Sequence, residues 1–209
     1  MGLKTTTKTV EVSDAKARVL EAAETLFHTR GYKAITLRDI ASAVGLNHAS
    51  LYHHVPGGKE ALYVEVMERT FRKHQTHLEE AMAGAGPDVR AQLQAASRWM
   101  LSQPPIDFTR MMLADMTAIS KSASKRLSVT AYVAFMAPFE KAFVDAHAAG
   151  QIRMISDPRI LAGSMLAIIQ SVHSVPLEAQ HTSASKESMV DEMVDVLLDG
   201  LRLAGSDKQ

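Results

Sequence analysis

The chain has 209 residues, and its 23 Lys or Arg balance its 23 Asp or Glu, so the formal net charge is zero. Because cysteine is absent, neither a disulfide scaffold nor a zinc-finger site is possible. Residues 1–60 hold eight Lys or Arg against six Asp or Glu, an asymmetry too weak for binding to a polyanion by charge alone.

The N-terminus is predicted to be a flexible arm. Residues 1–12, MGLKTTTKTVEV, have no helical periodicity and lack the apolar core of a signal peptide. No apolar run along the chain approaches the roughly 20 residues that cross a bilayer. We therefore expect a soluble, cytoplasmic protein.

A first helix is predicted to start after Ser13, a plausible cap, and to end at Gly31. Tyr32 follows as the hydrophobic partner of a C-terminal cap. The apolar residues at helical spacing are Val19, Ala22, Ala23, Leu26 and Phe27.

A tight turn between two short helices is predicted within residues 36–63. Thr36 and Asp39, three residues apart, resemble the capping box that starts a helix. Gly45 can adopt the left-handed conformation that ends this helix, and Asn47 can cap the next one. Two helices joined in this way form a helix-turn-helix.

The second of these helices is predicted to have one apolar face. Leu51 and Val55, four residues apart, face inward. The residues that then point outward are His48, Ala49, Tyr52 and His53. An exposed helix of about two turns with these side chains is suited to a DNA major groove.

Residues Ile35 to Leu62 resemble the DNA-binding domain of the tetracycline-repressor (TetR) family. The family pattern of threonine, glycine turn, LYxHF and lysine is matched by Thr36, Gly45, Leu51, Tyr52, His54, Val55 and Lys59. The family usually has two residues before the lysine, and here Pro56, Gly57 and Gly58 make three. The resemblance implies a homodimeric regulator, most often a repressor, that binds a palindromic operator and responds to a small molecule.

The predicted DNA contacts combine this resemblance with helix position. Tyr52 can donate to phosphate or pack on a thymine methyl, while the start of the second helix reaches base edges. Arg38 can reach guanine or phosphate. The predicted DNA-binding residues are Thr36, Arg38, His48, Ala49, Tyr52, His53, His54 and Lys59.

Only helices are predicted beyond residue 58, so the fold class is all-α. They run from Lys59 to about Met82, from Leu93 to before Pro104, from Phe108 to Met116, from Leu127 to Ala146, from Asp157 to about Val175 and from about Lys186 to Leu203. Pro138 predicts a kink near 134–137 because proline lacks the N–H of a helical hydrogen bond. We predict an arm over 1–12, a DNA-binding domain over 13–58, and an effector-binding and dimerisation domain over 59–209.

Met and aromatic side chains on several of these helices predict a cavity for a bulky apolar or aromatic effector, although the same residues also suit an ordinary core. His173 lies in an apolar helix and needs a hydrogen-bond partner, which a ligand could supply. The predicted pocket residues are Trp99, Met100, Met111, Met112, Phe135, Phe139, Met165 and His173.

The last two helices are predicted to form a four-helix dimer interface. The stripe on the last helix is too wide for one neighbour, and small residues on the preceding helix permit close approach. The predicted interface residues are Ala162, Gly163, Ala167, Met189, Met193, Val196, Leu197 and Leu201.

Two alternatives come from other classes of protein. One is a ligand-binding or interaction module whose helix-turn-helix is vestigial. The other is an enzyme, for which His74 and His77 could share a metal, although surface histidines are the commoner explanation. No phosphate loop, serine turn or HExxH motif is present, so we predict no enzyme, no metal and no cofactor.

Overall fold

A computed structural model describes residues 4–153, 155–176 and 185–201, without the side chains of 4–13 and of His48. Across these residues the secondary structure is helical, with no strand. The α-helices are α1 (Lys4–Ala34), α2 (Leu37–Ala43), α3 (His48–His54), α4 (Gly58–Gly84), α5 (Val89–Ser102), α6 (Phe108–Arg110), α7 (Lys121–Ala131), α8 (Ala137–Ala148), α9 (Pro158–Ser174) and α10 (Lys186–Asp199).

The chain forms two compact units. The first unit comprises Met1–Thr70 and Ile106–Val129, and the second comprises Phe71–Pro105 and Thr130–Gln209. The predicted boundary at 58–59 was drawn from the helix-turn-helix pattern. The structure also includes the first half of α4 and residues 106–129 in the first unit, because those residues pack there.

In the first unit, α1 is longer than the sequence indicated. It begins at Lys4, within the predicted arm, and it is interrupted near its end at Gly31, where φ is 77°. Extending an existing helix adds one hydrogen bond per residue, so the weak periodicity of this segment does not prevent helix formation.

The core of the first unit is built by α1 to α4 around apolar side chains on their facing sides. Three short connections link α1 to α2, α2 to α3 and α3 to α4. The fully buried large residues of this core include Ile35, Ile40, Leu51, Leu62 and Tyr63.

The predicted caps of the helix-turn-helix are present. Thr36 and Asp39 form the capping box of α2, and Gly45 follows the helix with φ 68°. The Asn47 side chain accepts a hydrogen bond from Ser50 N–H at 2.8 Å, which starts α3.

Residues 108–118 form one short helical segment of changing pitch. α6 continues into a π-helical turn, Met111–Asp115, and then a 3₁₀ turn, Met116–Ala118. This segment packs against α1 within the first unit. The sequence predicted a short helix here but not its irregular pitch.

In the second unit, α5 packs against α8, α9 and α10, and α8 packs against α9. Three ion pairs join α5 to α10: Arg90 pairs with Asp195 and Asp199, and Arg98 pairs with Asp191. The largest fully buried side chains here are Phe71, Leu78, Leu93, Phe135, Phe139 and Phe143.

The predicted kink before Pro138 is confirmed. α7 passes into a π-helical turn, Tyr132–Met136, before α8 begins. The N–H of Ala137 donates to the carbonyl of Tyr132, five residues back. Pro138 offers no N–H to continue the regular ladder, and a π turn is one way to absorb that loss.

One helical stretch is apolar enough to be compared with a membrane span. Lys121–Ala148 has 28 residues and a window of mean hydropathy 1.2, of which 39% is buried. The expectation that no stretch reaches this composition was therefore wrong. Core helices of soluble proteins pass the same test, and this one contributes Phe135, Phe139 and Phe143 to the core.

Candidate functional site

The recognition helix α3 has the predicted two faces. Leu51 is 0% and Val55 5% exposed, so these two side chains anchor α3 to the first unit. Ala49, Tyr52 and His53 are exposed, Tyr52 to 47%, and His54 is half-buried. The outer surface of α3 therefore carries one small side chain, one phenol and imidazole groups, which can donate to or accept from base edges and phosphates.

The start of α2 adds a second polar element. The Thr36 hydroxyl donates to Asp39 Oδ2 at 2.6 Å and accepts from Asp39 N–H at 3.2 Å. The hydrogen bonds from Thr36 hold the pKa of Asp39 below its usual value. Since this hydroxyl already serves the cap, Arg38, which is exposed, is the freer of the two predicted contacts on α2.

Lys59 lies in the first turn of α4 and is half-buried. Its Nζ lies 4.1 Å from the centre of the Tyr32 ring, a cation–π contact. Burial lowers the pKa of Lys59, and the charges of Asp115 and Asp39 oppose that shift. The structure thus places Lys59 over the Tyr32 ring at the end of α1, whereas Ala49, Tyr52 and His53 lie exposed on α3.

A polar brace that the sequence did not predict holds the end of α1. Asp115 is 4% exposed, and its Oδ1 accepts from Tyr32 N–H at 2.9 Å. The Arg110 guanidinium donates to the carbonyls of His28 and Thr29. Helix ends leave carbonyls without partners, so Arg110 and Asp115 together complete the C-terminal cap of α1.

The brace also explains Gly31. A Cβ at Gly31 would lie 3.1 Å from Asp115 Oδ1, and its φ of 77° disfavours other residues. Arg110 Nε has no hydrogen-bond partner within the described part of the chain; it lies 3.9 Å from Asp115 Oδ2. The sequence signal was the isolated Arg and Asp in an otherwise Met-rich segment, but nothing indicated their partner.

Four predicted pocket residues are core residues of the second unit. Phe135, Phe139 and Met165 are at most 1% exposed and Met100 is 8% exposed. The Phe135 ring packs edge-on against Phe71, with centroids 5.5 Å apart. These four side chains therefore belong to the core of the second unit, and their role in effector binding stays a prediction.

Trp99 contacts the two histidines of the metal alternative. His77 stacks on its ring with centroids 5.4 Å apart, and His74 meets it edge-on at 5.3 Å. Within the described residues no group of three or more His, Asp or Glu is arranged to hold a metal ion. The stacking gives both histidines a packing role against Trp99.

The remaining predicted pocket residues are His173, Met111 and Met112. His173 Nε2 lies 3.2 Å from the Met100 carbonyl, so its hydrogen-bond partner is the protein backbone and a ligand is not required. Met111 and Met112 belong to the first unit, where Met111 is buried and Met112 is 48% exposed. The segment that carries them packs on α1, and their role as pocket residues stays a prediction.

An open groove of about 500 Å³ lies elsewhere in the second unit, between α4, α5 and α8. Apolar and polar side chains both line it. Its lining includes Gln75, Glu79, Met82, Gln92, Val133, Pro138, Lys141 and Asp145. None of the eight predicted pocket residues lines this groove.

The predicted dimer residues divide into two groups. Ala162 and Leu201 are 0% and 3% exposed, so they belong to the core of their own unit and their assignment to an interface was wrong. The others remain accessible or half-buried: Gly163, Ala167, Met189, Met193, Val196 and Leu197. On α10 the core stripe is Val190, Val194 and Leu198. Beside it, Met193 and Val196 form a second, exposed apolar stripe.

Comparison with known proteins agrees with this helix-turn-helix. Residues 19–66 match the sequence model of the family described as bacterial regulatory proteins, tetR family. Residues 19–66 therefore place the N-terminal domain of the chain in the TetR family. The TetR family is one of DNA-binding transcriptional regulators and not of enzymes.

Relatives and solved structures resemble this chain to different extents. The transcriptional repressor KstR2 of Rhodococcus jostii is 39% identical over 83 residues, 40% of each chain. The TetR-family regulator PfmR of Thermus thermophilus is 21% identical, with a TM-score of 0.63 over 89% of this chain and 100% of PfmR. AibR, solved with isovaleryl coenzyme A and operator DNA, is 22% identical, with a TM-score of 0.63 over 88% of this chain and 98% of AibR.

The chain matches about two fifths of the length of KstR2. The structural likenesses, at 21 and 22% identity, show a shared all-α fold over almost the whole chain. The predicted fold class is confirmed, and the predicted TetR resemblance is confirmed over residues 19–66.

Proposed function

We propose that this protein is a homodimeric transcriptional repressor that binds a palindromic operator and is released from it by a small-molecule effector. The observation that carries the proposal is the surface of α3, where exposed Ala49, Tyr52 and His53 project from a helix anchored by buried Leu51 and Val55. A short anchored helix with an exposed polar face is the usual reader of a major groove.

The DNA contacts are proposed at two levels. Residues of α3 read base edges, with His48 and Ala49 at its start and Tyr52 one turn later, while His53 and His54 contact the sugar-phosphate backbone. On α2, Arg38 contacts phosphate or guanine, and Thr36 contacts phosphate through its backbone or hydroxyl. Their combined charge is small, so two copies of the module are needed for a stable complex.

Dimerisation is supported by the second apolar stripe of α10. Val196 is 62% and Met193 39% exposed, although both are apolar and lie on a helix whose other face is buried. Ile160 on α9 is 62% exposed, and Gly163 and Ala167 follow it at helical spacing. Two copies of α9 and α10 can cover these stripes in a two-fold four-helix arrangement.

The effector is proposed to bind in the second unit. The groove between α4, α5 and α8 has a volume of about 500 Å³, within the range of small-molecule sites. AibR, which has the same fold, was solved with an acyl coenzyme A as well as operator DNA. For this chain we propose an effector with an apolar or aromatic body and a polar end.

The mechanism is a population shift. α4 runs without interruption from Gly58, four residues after the recognition helix, to Gly84 beside the groove. An effector that binds one orientation of α4 more tightly increases the population of that orientation. In that orientation the two recognition helices of the dimer no longer have the spacing of about 34 Å that adjacent major grooves require. Saturating effector that leaves operator affinity unchanged would contradict this step.

The test is selection of DNA from a random-sequence pool at fixed, stated salt, with Tyr52→Ala and Tyr52→Phe in parallel. Wild type should recover a palindrome, and Tyr52→Ala should bind it about 1 to 3 kcal/mol more weakly. Tyr52→Phe shows whether the hydroxyl or the ring makes the contact. Equal binding of the palindrome by wild type and Tyr52→Ala would remove Tyr52 from the proposed DNA contacts.

If wild type enriches no sequence, the protein should be unfolded and refolded to strip a bound effector, and the selection repeated. A palindrome recovered only after stripping supports an effector-released repressor. Continued absence of enrichment contradicts the proposed function and leaves the vestigial-module alternative. We place the protein in the cytoplasm as part of this proposal, where an operator would be accessible.

A further inference from the structure

Lys59 has an environment that differs from that of a surface lysine. Its ammonium lies over the ring of Tyr32, 4.1 Å from the centroid, and Tyr32 is itself held in place. The Tyr32 ring packs on Tyr63 with centroids 4.9 Å apart and on Phe27 at 6.1 Å. The Tyr32 N–H donates to Asp115.

The turn that precedes Lys59 directs it toward this ring. Gly58 has φ 72°, and a Cβ on Gly57 would lie 2.5 Å from the Ala61 side chain. Both positions therefore require glycine. The left-handed Gly58 accommodates the third residue between Val55 and Lys59, and the first turn of α4 then carries Lys59 to the end of α1.

The negative charges that act on Lys59 belong to carboxylates of the first unit. Asp115 and Asp39 both act electrostatically on its ammonium, so part of its charge is already balanced within the first unit. A DNA phosphate would have to compete with these carboxylates and with the ring for the same group.

From these contacts we infer that Lys59 is a positioning residue, which fixes α4 and the adjoining recognition helix to the end of α1 through Tyr32, and does not contact operator phosphate. This inference rests on the proposed function, because it concerns how the DNA-binding surface is held. It replaces the phosphate contact that the sequence predicted for Lys59.

The test compares four single variants and one double variant, Lys59→Met with Tyr32→Leu, on the operator selected by wild type, over a range of salt concentrations. Lys59→Met keeps the side-chain length and removes the charge, and Tyr32→Leu removes the ring. Tyr32→Phe keeps the ring face and should bind as wild type. Lys33→Met, at an exposed lysine next to Tyr32, controls for the loss of one positive charge.

A positioning role predicts that Lys59→Met and Tyr32→Leu each weaken binding about two- to fivefold. The combined variant should bind no more weakly than either single variant, because both remove the same contact. The slope of log affinity against log salt should stay that of wild type. A phosphate role instead predicts a slope shallower by about 1.8 for the dimer, at 0.9 per lost contact, together with additive losses.

A second readout does not depend on DNA affinity. The ε-methylene protons of Lys59 should show an upfield ring-current shift in the NMR spectrum of the free protein, absent in Tyr32→Leu and retained when operator is added. Loss of that shift on adding operator would overturn the inference. Failure of wild type to bind any DNA would instead count against the proposed function, while the free-protein spectrum still decides whether Lys59 lies on Tyr32.

Discussion

The brace at the end of α1 leads to a quantitative prediction for Asp115. Asp115→Ala removes the acceptor for the Tyr32 N–H, 2.9 Å away, at a carboxylate that is 4% exposed. Leaving a buried donor without a partner costs about 1 to 3 kcal/mol. The charge of Arg110 lies 3.9 Å away on a side chain that is 31% exposed, so losing that pair adds at most about 1 kcal/mol.

We therefore expect Asp115→Ala to lower the free energy of unfolding by about 2 to 3 kcal/mol. Asp115→Asn keeps an oxygen that can accept from Tyr32 and removes only the charge, so it should lose about 1 kcal/mol or less. Asp145→Ala serves as control, because Asp145 is exposed and pairs with exposed Lys141 on the surface of α8. This variant should change stability by less than about 0.5 kcal/mol.

The assay is urea unfolding of each variant at one protein concentration, followed by circular dichroism and tyrosine fluorescence. The two units can unfold separately, so the transition should be fitted as one step only where both signals coincide. The reasoning is refuted if Asp115→Ala loses no more than Asp145→Ala. Equal losses in Asp115→Asn and Asp115→Ala would show that charge, and not the hydrogen bond to Tyr32, stabilises the brace.

Three further predictions concern other parts of the molecule. Gly45→Ala should destabilise the protein by about 1 kcal/mol, because its φ is 68° and the added Cβ would meet no atom within 4 Å, so the cost is that of the backbone conformation alone. Gly84→Ala, in a helix with equally open space, should not destabilise the protein. Thermal unfolding measures both variants. Val196→Glu should shift the protein toward monomer in sedimentation at equal helix content, and Glu192→Gln should not; a dimer unaffected by Val196→Glu would remove α10 from the interface. The pKa of Asp39 is lowered by its cap hydrogen bonds. The ionised carboxylate therefore stabilises the fold above the usual pKa of Asp, and this stabilisation is lost as pH falls through the lowered pKa. Asp39→Asn should flatten that part of the acid unfolding profile, and an unchanged profile would contradict the prediction.

Local chemistry determined most of the secondary structure from the sequence alone. The capping box of Thr36 and Asp39, the left-handed Gly45, the Asn47 cap and the Asp157–Pro158 start of α9 all depend on residues within four positions of one another. Pro138 likewise determined where the helical ladder breaks, because a missing N–H acts on its own turn.

The two faces of α3 were also predictable. Leu51 and Val55 are spaced so that a helix must place them together, and the polar residues between them are then exposed. The α9 and α10 stripes followed the same rule, but spacing did not separate the stripe that is buried in the unit, which includes Ala162 and Leu201, from the one that remains accessible.

Only the tertiary structure decided which distant residues meet. Asp115 reaches Tyr32 across 83 positions, and Arg110 reaches His28 across 82, so no local pattern could indicate the brace. Met111 was assigned from composition and Lys59 from family spacing. In the structure Met111 is buried in a segment that packs on α1, and Lys59 lies over the Tyr32 ring. A residue's neighbours along the helix are set by periodicity, whereas its partners on other helices depend on how all the apolar faces are buried at once.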